Sequence, residues 1–180
     1  MTGIGCVHAM RERHPSRTHS RAFEPRDTTS IIVQCSTEEA MQGGSSYHAT
    51  DGAAYERFLG RWSRRLAAPL LEFAEFTGDG CLLDVGCATG SVANAMTGKW
   101  PARRIVGADI AAPYVAFARS HAASDQVVFE VADALRLPHT DATFAGATAQ
   151  LVLNFVSDPV MALRELQRVT APGGRVVAAV

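Results

Sequence analysis

From Cys81 onward the chain repeats one pattern: an apolar run, a turn of small or polar residues, then a helical stretch. Unbroken apolar runs suit strands buried on both faces, and strands that alternate with helices build a parallel, doubly wound sheet covered on both sides. The pattern predicts strands over 81–85, 104–109, 126–131, 143–150 and 175–180, with helices near 91–99, 112–122 and 159–169. The last helix has clear boundary chemistry. Asp158 can cap it, Pro159 suits its first position, and Ala171, Pro172, Gly173 and Gly174 stop it. In such a sheet, ligands bind at the C-terminal ends of the strands.

Upstream, Tyr55, Phe58, Leu59, Trp62, Leu66, Leu70 and Phe73 recur at a helical period, with Pro69 expected to break or kink the run. This predicts a helical cap over 47–76. Residues 1–46 read differently. Arg11, Arg13, Arg17, Arg21 and Arg26 are mixed with Ser, Thr, His and Pro, and only Ile31, Ile32 and Val33 form an apolar cluster. Such a segment cannot bury enough surface to offset ordering entropy, so a disordered leader is expected, joined through Gly43–Gly44–Ser45–Ser46. Its Arg and Ser content fits a transit peptide, whereas Glu12, Glu24 and Asp27 count against one; translation from Met41 is the competing reading.

Length, at 180 residues, allows one domain, and 47% hydrophobic with 19% charged residues fits a globular chain. The formal net charge of −1 provides no overall basic field, so neither nucleic acid nor membrane is expected as a partner. Cys6, Cys35, Cys81 and Cys87 have neither paired spacing nor a zinc pattern with His, which predicts reduced thiols and no metal. No apolar run reaches the length of a membrane span or a secretory h-region, and a cytoplasmic location is the simplest expectation.

The chemistry concentrates where Leu82–Leu83–Asp84–Val85 runs into Gly86–Cys87–Ala88–Thr89–Gly90 and then a helix. Gly86 and Gly90 can take positive φ, Ala88 adds only a methyl, and the helix start offers free N–H groups, a setting for a nucleotide-like ligand. The same small residues would also serve tight strand-to-helix packing, so the turn leaves two readings open. Asp109 follows 19 residues after Gly90 at the next strand tip, placed to accept from a ribose diol or to cap a helix. Asp133 ends the third strand, suited to an adenine amino group or to a loop cap. The spacing runs GxAxG from Gly86, with Ala88 third and Ser91 sixth, which disfavours the GxGxxG of a dinucleotide oxidoreductase.

Leu82–Gly90 as LLDVGCATG, GADI at 107–110, ADAL at 132–135 and RELQRVTAPGGRVV at 164–177 together resemble the class I S-adenosylmethionine-dependent methyltransferases, in particular the small-molecule methyltransferase-domain group, across 47–180. The resemblance implies a Rossmann-like fold with S-adenosyl-L-methionine as cofactor and a small-molecule acceptor. It implies that Asp84, Gly86, Cys87, Ala88 and Gly90 shape the methionine end. Asp109 with Ile110 would bind the ribose side, Asp133 with the Ala134 backbone the adenine, and Gln150 and Leu151 would lie near the sulfonium. Arg61 in the cap is a candidate for the cofactor carboxylate or a surface residue of an amphipathic helix. No catalytic residue emerges. His139 reads as an exposed loop residue and Cys87, without a His partner, as a packed thiol.

The sequence departs from the family pattern in two places. Phe144 is followed by Ala145 where many relatives carry an acid. The chain also ends at Val180, inside the fifth strand, whereas the family continues through further strands. A sheet lacking its C-terminal strands is therefore expected, with 175–180 as an exposed edge open to self-association. The expected function is methyl transfer to a small molecule. The alternatives are a truncated remnant that binds the cofactor weakly without turnover or, less favoured, an NAD-type oxidoreductase.

Overall fold

A computed structural model describes the backbone strand Ser30–Gln34 and residues 51–180. Six strands form one parallel sheet: β1 (Ser30–Gln34), β2 (Leu82–Val85), β3 (Ile105–Asp109), β4 (Val127–Val131), β5 (Phe144–Gln150) and β6 (Thr170–Ala179). Their order is β1-β6-β5-β2-β3-β4, so the chain steps outward in one direction through β3 and β4 and in the other through β5 and β6. The direction reverses beside β2, and this is where a doubly wound sheet opens its crevice. The predicted α/β Rossmann-like sheet is present, each strand starting within a residue of its expected position except the last.

Strand β6 begins early. Thr170 bridges Phe144, Ala171–Gly174 bulge out opposite Ala145, and pairing resumes at Gly146 with Arg175. Gly173 takes φ +81° in that bulge, and a Cβ on Gly174 would lie 2.7 Å from the Ala145 carbonyl. The Pro-Gly-Gly cluster therefore makes a bulge at the start of a strand, while the helix ends just before it, at Val169.

Helices cover both faces. On one side α2 (Arg61–Ala74), α3 (Ser91–Lys99) and α4 (Ala112–Ser120) pack on Leu82, Ile105, Val127, Phe129 and Val177. On the other α5 (Pro159–Val169) packs Ala162, Leu166 and Val169 against Leu83, Val85, Ala147 and Val176. Adjacent residues such as Leu82 and Leu83 thus feed opposite cores, as the twofold alternation of a strand requires.

Two expectations need correction. The edge of β6 is not free, because β1 pairs with it in parallel register from Ser30 opposite Arg175 to Gln34 opposite Ala179. The β-branched run inside the expected leader forms that strand, so the proposed route to self-association through this edge is closed. The rest of residues 1–46 lies outside the described residues. Pro69 does not break α2, which runs through it: the proline is exposed, so water can reach the carbonyl its missing N–H leaves unbonded. Within the described residues the cap region is helical, with a short α1 (Gly52–Tyr55) and a π-helical turn over Glu56–Gly60 leading into α2. Among the described residues no helix is long and apolar enough to cross a membrane.

Candidate cofactor site

The turn after β2 is built by backbone geometry. Gly86 takes φ +68° and Gly90 φ +90°, and between them Ala88 sits at φ +46°, a region that costs a residue with a Cβ about 1–2 kcal/mol. The strain is held by bonds from both sides. Ala88 N–H donates to Asp109 Oδ2 at 2.8 Å, Gly86 and Cys87 N–H both reach the Ala108 carbonyl, and Gly90 N–H returns to the Cys87 carbonyl. Asp109 Oδ1 accepts from Ala111 N–H at 2.8 Å. The carboxylate is thus clamped at the tip of β3, each oxygen holding one N–H and keeping capacity for another donor. Burial raises its pKa, and the two N–H bonds oppose the rise.

Two cavities share Gly86 in their linings. The larger, about 300 Å³, is lined by Gly86, Asp109, Ile110, Asp133, Ala134 and Leu135 on one side and by Val152, Phe155, Val156 and Ser157 on the other. Asp133 is exposed and accepts from Leu135 N–H at 2.9 Å, an Asx turn that leaves its second oxygen open. The smaller cavity, about 10 Å³, is narrowed by the cap: Tyr55 and Ser63 line it together with Asp84, Gly86, Cys87, Ser91 and Gln150.

Asp84 is fully buried there. It accepts from Thr148 Oγ1 at 2.9 Å and Ala93 N–H at 3.2 Å, yet burial dominates and its pKa is pushed up to about 7. Gln150, at the tip of β5, donates from Nε2 to the Ser63 carbonyl at 3.0 Å, while its Oε1 is buried without a partner. Burial and the nearby Asp84 and Asp109 carboxylates hold the Cys87 thiol well above its ordinary pKa, the opposite of an activated nucleophile.

Of the residues singled out from sequence, Asp84, Gly86, Cys87, Asp109, Ile110, Asp133, Ala134 and Gln150 line this pair of cavities. Ala88 and Gly90 act from behind, through backbone. Leu151 does not line either cavity: its φ of +57° and its N–H bond to Ala179 turn the chain so that Val152 enters instead. Arg61 also lies elsewhere, on the exposed face of α2 with its guanidinium 5.1 Å from the Trp62 ring centroid. The helical phase that buries Ser63 and Ala67 turns Arg61 outward. His139 is neither free nor exposed: its Nε2 lies 2.7 Å from Glu130 Oε1, its ring meets Phe144 edge-on, and its carbonyl accepts from Arg168.

Sequence reasoning missed Ser63, Thr148 and the 152–157 wall. Ser63 carried a signal, being the one polar residue on the buried row that continues through Ala67, Leu70 and Ala74. Also missed was Glu56 in the π-helical turn. It bonds both Thr89 of the glycine turn and Arg64, lying back over Gly60, where any Cβ would overlap its carboxylate.

The model of the methyltransferase domain family matches residues 83–178, over half of the chain. The chain belongs to the class I S-adenosylmethionine-dependent methyltransferases. Within this family it is 40% identical over 119 residues to the demethylmenaquinone methyltransferase of Thermus thermophilus, a match covering 65% of this chain and 52% of that one. It is 35% identical over 133 residues to the 27-O-demethylrifamycin SV methyltransferase of Amycolatopsis mediterranei, covering 72% and 47%. A solved structure of the cyclase SpnF superposes with a TM-score of 0.58 at 36% identity, covering 63% of this methyltransferase-family chain and 44% of SpnF. The chain spans about half the length of the curated relatives it matches.

The family's cofactor is S-adenosylmethionine, and the residues fit it. The clamped Asp109 suits a ribose diol. The buried, unpartnered Gln150 Oε1 beside Asp84 needs a donor of the kind an ammonium group offers.

Proposed function

We propose that this chain binds S-adenosylmethionine along the two cavities on either side of Gly86 and transfers its methyl group to a small apolar acceptor entering past Val152, Phe155 and Val156. The observation that carries this reading is Asp109, half-buried at the β3 tip with each oxygen already held by a backbone N–H and lining the larger cavity. Asp109 would accept the ribose hydroxyls. Ile110 and Leu135 would flank the adenine, with Asp133 and the Ala134 backbone at its polar edge. Asp84 and Gln150 would receive the amino group of the methionine end.

When bound, the cofactor supplies a methyl group already activated on a sulfonium, so the protein's part is alignment and exclusion of water. That division of labour agrees with the lining. Among the residues that line the two cavities there is neither a histidine nor a lysine, and the Cys87 thiol is held protonated. The smaller cavity has room for about one water, so a methionine end enters only if the cap carrying Tyr55 and Ser63 moves.

For the acceptor, the first candidates are demethylated quinones of the kind named for the Thermus relative, because Val152, Phe155 and Val156 offer an apolar wall and no fixed charge. Calorimetry with S-adenosylmethionine and with NAD, on the wild type and on Asp109→Ala, tests the cofactor assignment; binding of the first alone, lost in the variant, is the expected result. Incubation with labelled cofactor and a panel of demethylated quinones tests transfer. Binding without label transfer would mark a chain that holds the cofactor but does not turn over.

A further inference from the structure

The inner face of the cap lines the smaller cavity; its outer face is laid out in two parallel rows. Phe58, Trp62 and Leu66, spaced four apart, are 74%, 48% and 41% exposed. Beside them, also four apart, run Arg57, Arg61 and Arg65, all exposed. The guanidinium groups of Arg61 and Arg65 lie 5.1 and 5.6 Å from the Trp62 ring centroid, so the rows interlock at the tryptophan. The ten residues from Arg57 to Leu66 hold four arginines and no acid. The neighbouring Glu56 is already engaged by Arg64 and Thr89. A net charge of −1 for the whole chain therefore conceals a local cationic field beside exposed aromatic and aliphatic side chains.

We propose that this ridge docks the protein on the surface of an anionic lipid bilayer, Phe58, Trp62 and Leu66 entering the headgroup boundary and Arg57, Arg61 and Arg65 pairing with lipid phosphates. The inference is independent of the acceptor. An apolar row of Phe, Trp and Leu flanked by arginine is the composition of helices that lie in a membrane interface, where burial of the apolar row and attraction to anionic lipid add. A second copy of the chain fits poorly, because an apolar ridge bordered by an arginine row would bring like charges together across a self-complementary contact. The helix is already formed and fixed from below by Ser63, Ala67, Leu70 and Leu71, so docking does not have to fold it.

Sedimentation of the purified chain with vesicles of mixed phosphatidylglycerol and phosphatidylcholine, and with vesicles of phosphatidylcholine alone, tests the proposal. The chain is expected to pellet with the anionic vesicles and to release as salt rises. Arg57→Gln, Arg61→Gln and Arg65→Gln should weaken binding by about fivefold each. Phe58→Ser with Trp62→Ser should abolish it while circular dichroism stays unchanged. Brominated lipid should quench Trp62 emission, read against a Trp62→Phe control that keeps Trp100. The proposal fails if the chain stays in the supernatant with anionic vesicles, or if binding persists in the Phe58/Trp62 variant and is matched by heparin, which would mark a plain polyanion site. A dimer in sedimentation velocity that Trp62→Ser dissociates would overturn it in favour of a contact between copies.

Discussion

The two ends of the crevice are built on different principles. At the adenosine end the functional groups come from consecutive strand tips, β3 giving Asp109 and β4 leading to Asp133, and the cavity is open, about 300 Å³. At the methionine end they come from segments far apart in the chain, Ser63 from the cap, Asp84 from β2, and Thr148 and Gln150 from β5, and the cavity is narrow, about 10 Å³. The adenosine end holds its carboxylate by two backbone N–H groups, from Ala88 and Ala111, at a half-buried position. The methionine end holds its carboxylate by Thr148 Oγ1 and Ala93 N–H at a fully buried position, and burial is what moves the Asp84 pKa to about 7. At both carboxylates burial raises the pKa against hydrogen bonds that lower it, but only at Asp84 is the rise large enough to reach about 7 and to make the charge conditional on pH near neutrality.

The largest expected effect is at the clamp. Asp109→Ala removes the acceptor for a ribose diol at about 1.5–3 kcal/mol per charge-assisted bond, so cofactor affinity should fall at least a hundredfold by calorimetry. The change also strands the Ala88 and Ala111 N–H groups. Asp133→Ala, at an exposed position with one oxygen already committed to Leu135, should cost about 1 kcal/mol. If the two variants lose affinity equally, the clamp is not what distinguishes the adenosine end.

Next comes the pH dependence of the methionine end. With a folded pKa of about 7 against an ordinary carboxylate value of 3.8, Asp84 stays protonated in the folded chain across a window where the unfolded chain has lost that proton. Its contribution to stability therefore falls as pH rises from about 4 to about 7 and levels off above. A bound ammonium prefers the ionised form and reverses the preference. Cofactor affinity should rise roughly tenfold between about pH 5.5 and pH 7, the range in which Asp84 ionises. Asp84→Asn should flatten that profile without altering the adenosine end, which binding of adenosine alone would check.

A smaller effect is expected from the contact that keeps the cap down. Thr89→Val preserves shape and deletes the hydroxyl that donates to Glu56. Loss of one such bond is worth about 1 kcal/mol, and it should appear as faster hydrogen exchange over Gly52–Tyr55 and Glu56–Gly60 in the absence of cofactor. Exchange in β3 and β4 should stay as it was. A uniform change across the sheet would mean that Thr89 serves the glycine turn and not the cap.

The same contrast explains what the sequence made legible. The strand starts, the glycine turn, Asp109 and Asp133 were readable because each is a local signal: an apolar run, residues suited to positive φ, an acid at a strand tip. Gln150 was readable by its place at the end of β5, but its orphaned Oε1 was not, because that depends on Ser63 arriving from 87 residues away. Leu151 and Val152 exchanged roles through one backbone torsion at φ +57°, for which Leu gives no warning. Likewise Ile31–Ile32–Val33 had strand propensity that the surrounding Arg, Ser and Pro outweighed in a window average. Only the register against Arg175–Ala179 reveals a strand there.

Arg61 gives the smallest effect and the sharpest comparison. Its distance in sequence from the glycine turn resembles that of Ser63, and both belong to the cap, yet two positions along a helix are about 200° apart. Ser63 is thereby buried, its carbonyl on Gln150, while Arg61 stacks on Trp62 at the surface. Arg61→Gln should change cofactor affinity by less than about 0.5 kcal/mol, the ordinary range for a surface substitution. Ser63→Leu should weaken binding well beyond that, because it fills the smaller cavity. If Arg61→Gln instead weakens the cofactor and not its adenosine fragment, the cap must rotate on binding to bring the guanidinium to the methionine end. The narrow cavity would then be a resting arrangement, and not the one in which the cofactor is held.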